Sequence, residues 1–230
     1  MRICLDSVKK TYEAGSGRID AVRDVSLIEI ANSISNTDYE SYTGTGKTFN
    51  GQPFKDFRIL WYYERSPIQI CVAKDTGITS IYDLNGKSFN PGGTGTAASV
   101  VIHAAFDALG IKPNYFEAGQ ADAADAYSNR QIVGAVKTGP APDSYVMQLN
   151  ANRPIRILSI SDADMKKILA AIPSVKTAVV PANAYDGVDY DATCISTYQG
   201  IQVRTGFSQE DGYRFFKAMW EDSLDRKSVV

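Results

Sequence analysis

The 230-residue sequence has one histidine and three cysteines, Cys4, Cys71 and Cys194. No C-x-x-C pair joins two of the thiols, and a single imidazole does not complete a zinc ligand set, so no metal and no other cofactor is expected. Cys71 falls in an apolar run and Cys194 near an expected strand, which predicts buried thiols. Long hydrophobic runs are also missing. No stretch approaches the roughly 20 apolar residues of a membrane span, and the N-terminus shows no basic region followed by an apolar one, so no export signal is read in the chain as written. Nor is there an excess of positive charge. Lys plus Arg number 24 against 26 Asp plus Glu, for a formal net charge of −2. That balance gives no basic face for phosphates and points to small molecules or proteins rather than nucleic acid as partners. No serine or cysteine sits in a nucleophile motif beside His103, so a catalytic triad has no support and no enzyme is expected.

What is present is enough apolar material, 44% of residues, for one large core or two modest ones. Residues 28–31 form a short β-like run, followed by a polar stretch from Asn32 to Gly51 that should be helical turn and then loop. Phe57–Tyr63 and Ile68–Ala73 read as two adjacent strands separated by Ser66-Pro67. A helical turn at 80–84 leads to a strand at Lys87–Asn90, and Pro91-Gly92-Gly93-Thr94-Gly95-Thr96 then opens a helix from Ala97 to Leu109, ended by Gly110. A second unit repeats the alternation: a strand near Tyr115–Glu117, a helix from Ala121 to about Arg130 and a strand at Ile132–Val136. Farther on come a strand at Ile155–Ile160, a helix at 162–171 capped by Ser161, a strand at Thr177–Val180, an extended stretch Gly200–Arg204 and a helix capped by Ser208. This alternation argues for α/β construction.

The segment Pro91–Thr96 gathers backbone N–H groups, two Thr hydroxyls and a helix N-terminus, an arrangement suited to an anion. An ordinary strand-to-helix turn would have the same composition. Thr138-Gly139-Pro140 after a strand is a second tight loop that could face the first, with Lys137 beside it to neutralise an acidic ligand. Tyr62 and Tyr63 lie at a strand end, where side chains line a cleft or pack in a core. The acids Asp122, Asp125, Asp162 and Asp164 fall at helix starts and read as surface and capping residues. Gly46-Lys47-Thr48 has the ending of a phosphate-binding loop, but Ser41 stands where that pattern requires glycine, and a loop sequence follows in place of a helix.

The order of these segments resembles the TAXI family of TRAP-transporter solute receptors across most of residues 28–224. The resemblance is carried by Ile30-Ala31-Asn32-Ser33 leading to Tyr42-Thr43-Gly44, by 50–58, by 78–87, and by Pro91–Ala97, which looks like the family's Gly-Ser-Gly-Thr segment with Thr94 in the place of Ser. It implies an α/β, two-lobed periplasmic-binding-protein (type II) fold. Lobe one would comprise 28–72 plus 196–224 and be truncated, lobe two would span 73–195, and the crossings would lie near Ile68–Ala73 and Cys194–Val203. It further implies an extracytoplasmic, non-enzymatic receptor that closes on a small carboxylate such as glutamate or 2-oxoglutarate and works with membrane permease subunits. The implied ligand-binding residues are Asn32, Ser33, Tyr62 and Tyr63 from lobe one, and Gly93, Thr94, Gly95 and Thr96 from lobe two, with Thr138 and Gly139 as the second loop. The family's signal peptide, first strand and first ligand loop have no counterpart. Residues 1–27 instead resemble the opening of an ABC-transporter ATPase, through Val8-Lys9-Lys10-Thr11-Tyr12 and Ala21–Leu27. They are expected to be a foreign segment, and 225–230 a non-native tail. An ATP-binding subunit of an ABC transporter is the alternative reading.

Overall fold

The computed structural model describes residues 8–14, 17–25 and 30–225. The chain divides into two compact units, one of Met1–Asn32, Phe54–Trp61 and Ile201–Val230, the other of Ser33–Pro53 and Tyr62–Gly200. Both divisions after residue 60 fall inside long strands, β4 (Arg58–Ala73) and β10 (Ala192–Val203).

The second unit is built on a mixed sheet of order β3-β10-β4-β7-β5-β6, with β3 at Ile30–Ile34, β5 at Ser88–Asn90, β6 at Asn114–Tyr115 and β7 at Gly134–Thr138. Two short strands complete it: β8 (Ile155–Ile157) pairs with β4, and β9 (Lys176–Val180) pairs antiparallel with β10. Strand β4 explains the layering. Its side chains alternate, sending Ile68, Ile70 and Val72 into one core cluster and Cys71 and Ala73 into another. A strand buried on both faces needs a helical layer on each. On the first face stand α3 (Ala97–Leu109) and α6 (Asp162–Ala171), whose Val101, Ile102, Phe106, Met165 and Ile168 share the cluster with Phe89. On the other stand α4 (Gln120–Ser128) and α5 (Ser144–Asn152), contributing Ala123, Tyr127, Val146 and Leu149. Fully burying residues such as Phe106 and Leu149 stabilises the fold by about 1.5–3 kcal/mol each. Strands β4 and β7 approach so closely that a Cβ on Gly134 would lie 2.2 Å from the Cys71 carbonyl oxygen. Glycine is therefore required there.

Several expectations change. The two strands expected at 57–63 and 68–73 are one, because Pro67 interrupts only a donor: its carbonyl still accepts from Gly139 N at 3.0 Å, and the β7 ladder starts one residue later at Ile68. The strand expected over Ile155–Ile160 ends at Ile157. Leu158 N bonds Ile70 O, but Ile160 N bonds Thr193 O, so the chain leaves one neighbour for another. The stretch from Asn32 to Gly51 contains a nine-residue helix, α1 (Ser35–Thr43), and a single-turn helix, α2 (Gly46–Phe49). Helix α5 has no counterpart among the expected elements.

In the first unit β1 (Val8–Ala14) and β2 (Gly17–Val25) form an antiparallel hairpin. Trp61 meets Phe215 and Phe216 of α7 (Gln209–Asp225) at ring separations of 5.8 and 5.3 Å. Ser208 caps α7 as expected, accepting from Asp211 N at 3.0 Å. The foreign-segment expectation for 1–27 falls partly, and that for 225–230 almost wholly, outside the described residues. Among the described residues, no helix is long and apolar enough to cross a membrane.

Candidate functional site

Within the second unit a cavity of about 350 Å³ opens where several chain reversals meet. That volume is at the lower end of small-molecule pockets. Three of its lining residues are helix N-caps: Ile34 of α1, Thr96 of α3 and Gly119 of α4. The first N–H groups of a helix have no partner inside it and carry the positive end of its dipole. At α1 and α4 no side chain caps them. At α3 the Thr96 hydroxyl accepts from Ser99 N at 3.3 Å and donates to Gly93 O at 2.8 Å. Ala97, Ala98 and Gln120 extend these first turns along the wall.

Asn90 holds the α3 and α4 entrances together. It is buried, donates to Phe116 O at 2.7 Å and Ala118 O at 3.0 Å, and accepts from Gly92 N at 3.1 Å. Gly92 (φ +113°) and Gly95 (φ +74°) adopt backbone open mainly to glycine, whereas Gly93 has ordinary backbone and space for a side chain. A second tie runs behind the loop: His103 Nε2 lies 2.8 Å from Glu117 Oε1, with the His103 ring 3.9 Å from that of Tyr115. The Thr94 hydroxyl and then His103 hold the Glu117 carboxyl below its usual range.

Strands β7 and β10 also contribute to the lining. Lys137 is the one charged side chain among the described lining residues, its Nζ 3.4 Å from Asp143 Oδ2. Asp143 Oδ1 caps α5 through Tyr145 N at 2.9 Å and Val146 N at 3.3 Å. The Thr138 hydroxyl is buried without a hydrogen-bond partner. Gln199 lines the cavity from β10 and donates to Glu64 and Ser66 at 3.1 and 3.0 Å. Ile34, Ile68, Val136 and Ala118 supply an apolar floor.

Of the ten residues selected from sequence, Gly93, Thr96 and Thr138 line this cavity. Thr94 and Gly95 belong to the same loop but not to the lining. The Gly139 carbonyl accepts from buried Gln69 Nε2 at 2.9 Å. Ser33 and Tyr62 meet elsewhere: both donate to Asp38 Oδ2, Tyr62 at 3.1 Å. Burial raises the Asp38 carboxyl above its ordinary value against those two hydrogen bonds, and burial together with the Asp38 charge pushes Tyr62 up to about 12. Tyr63 is 53% exposed. Asn32 belongs to the first unit. Ile34, Gly119, Gln120, Thr197 and Gln199 were not selected. Gly119 before an Ala-rich helix was a legible cap signal, whereas the β10 residues have no local motif.

This framework is a periplasmic-binding-protein-like α/β fold, the class of the solute-binding proteins. The TctC solute binding protein from Polaromonas, a structure without ligand, is 18% identical, with a TM-score of 0.50 over 86% of this chain and 67% of that one. The periplasmic aliphatic sulphonate binding protein SsuA from Escherichia coli is 16% identical, with a TM-score of 0.44 over 75% of this chain and 50% of that one. For an ABC transporter periplasmic binding protein from Brucella ovis with glutathione bound, the values are 14%, 0.38, 66% and 38%. The chain therefore spans only 50% and 38% of the length of these last two. No curated protein sequence matches it. By its sequence the chain belongs to the NMT1-like family, whose model matches residues 6–229 and so includes most of the stretch that resembles an ATPase opening. The ATP-binding alternative finds no support in these matches, and Gly46-Lys47-Thr48 opens a helix of a single turn.

Proposed function

We propose that the protein is an extracytoplasmic solute-binding receptor that holds a small carboxylate in the cavity at Ile34, Thr96 and Gly119 and presents it to the permease subunits of a transporter. The observation that carries this reading is that the N-caps of three helices line one cavity, with Lys137 also in its lining. An uncapped helix end favours an anion by about 1 kcal/mol when partly buried, so the two at α1 and α4 amount to roughly thirtyfold in affinity.

The finer assignment, a TRAP-type receptor of the TAXI kind, rests on the order of the sequence segments. On that reading, 28–72 plus 196–224 make one lobe and 73–195 the other, and the long strands β4 and β10 act as the hinge. A periplasmic location follows from the same assignment.

The test is thermal stabilisation of the full chain by small carboxylates and by their neutral amides. Acids should raise the melting temperature in proportion to ln(1 + [L]/Kd), amides should not, and Lys137→Met should weaken acid binding about tenfold. Equal stabilisation by acid and amide, or unchanged affinity in Lys137→Met, would remove the basis of the proposal.

A further inference from the structure

The charge inventory of the cavity goes beyond a general preference for anions. Among the described residues, its lining contains one lysine, the N-caps of three helices and the first residues of α3 and α4, and no Asp, Glu or His; the first-turn acids Asp38 of α1 and Asp122 of α4 are not in it. Four acids on neighbouring elements are engaged by protein donors. Glu64 accepts from Ser66 at 2.5 Å and from Gln199. Asp143 caps α5 and faces Lys137. Asp38 is bonded by Ser33 and Tyr62, and Glu117 by His103. A carboxylate entering the cavity meets the start of α4, whose first N–H groups have no side-chain cap. An ammonium group entering it meets the same helix ends and a lysine already paired with Asp143, and no carboxylate in the lining. A desolvated charge without a counter-charge is strongly disfavoured.

We infer that the cavity selects an anion that carries no ammonium group: a 2-oxo or simple carboxylic acid rather than the α-amino acid of the same carbon skeleton. This deepens the anion reading of the same cavity and rests on it. The apolar floor of Ile34, Ile68 and Val136 fits the carbon skeleton common to both acids, so the discrimination falls on the nitrogen.

Titration calorimetry of the full chain with matched pairs tests the inference: 2-oxoglutarate against glutamate, pyruvate against alanine, and 4-methyl-2-oxopentanoate against leucine. In every pair that binds, the oxo acid should bind at least about tenfold more tightly. Amino acids binding as tightly as their oxo partners, or more so, would overturn the inference while leaving the anion reading in place. Failure of every acid, with and without nitrogen, would overturn both. A second variant reads the same inventory in reverse. Gln120 is exposed at the first position of α4, where an acidic residue is well tolerated, and it lines the cavity. Gln120→Glu supplies the missing carboxylate and should shift the oxo-to-amino affinity ratio toward the amino acid by at least about threefold. An unchanged ratio in a variant with native melting temperature would count against the inference.

Discussion

Replacing Asp143 separates the two contributions that this side chain makes to the cavity wall. Oδ1 accepts from Tyr145 N and Val146 N, and Oδ2 lies 3.4 Å from Lys137 Nζ, with the two side chains 17% and 19% exposed. Asp143→Ala removes both the cap and the charge. Asp143→Asn removes the charge but keeps a capping oxygen, since Asn and Asp cap about equally well. The cap is worth about 1 kcal/mol. The bare Coulomb energy of the pair at 3.4 Å in an effective dielectric of 20 is about 5 kcal/mol. Desolvation and solvent screening reduce the net value of such a partly exposed pair to about 1 kcal/mol. The Ala variant should therefore lose about 2 kcal/mol and the Asn variant about 1. In a chain of this length those losses lower Tm by roughly 4–8 and 2–4 °C. Urea denaturation with unchanged m-values is the assay. A ligand measurement adds a second readout, because Asp143→Asn frees the Lys137 charge and should tighten carboxylate binding several-fold. An Asn variant as unstable as the Ala variant, with unchanged carboxylate affinity, would refute both halves of the reasoning.

Two further outcomes follow from the core. Gly134→Ala places a methyl group 2.2 Å from Cys71 O and 2.9 Å from Val72 Cα, both backbone atoms, so stability should fall by about 3 kcal/mol in a urea titration. Asp38 gives a pH dependence of definite sign. Burial raises its folded-state pKa, so its stabilising contribution is complete below the ordinary carboxylate value and is lost as pH rises through the folded-state value. Asp38→Asn should therefore be more stable than the parent at neutral pH, with the gap closing in acid. Parallel Tm-against-pH curves for the two proteins would contradict this.

The elements legible in the sequence were those whose signals are local. Helix α6 follows its Ser161 cap, and α3 runs from the Gly-Thr loop to Gly110, which adopts the left-handed conformation (φ +71°). Helix α5 was equally signalled by Asp143, but its apolar residues Tyr145, Val146 and Leu149 sit inside a polar sequence, and the preceding Pro-rich turn masked the start. The loop Pro91–Thr96 is a helix entrance, as its composition predicts, yet its hydroxyls do other work: Thr96 caps its own helix, and Thr94 faces Glu117. What the sequence could not convey is convergence. Ile34, Thr96 and Gly119 are unlike in chemistry and far apart in the chain, and only the strand order brings their three helix entrances to one cavity.

The paired placement of two thiols makes the fold report on its own opening. Cys71 on β4 and Cys194 on β10 are both free and almost fully buried, and burial pushes the Cys194 thiol up to about 12 and the Cys71 thiol higher. Neither presents a thiolate to reagent while the sheet is closed. Alkylation of either therefore clocks transient exposure of the two strands that run through both units, and ligand-dependent slowing of that clock would measure binding without any added label.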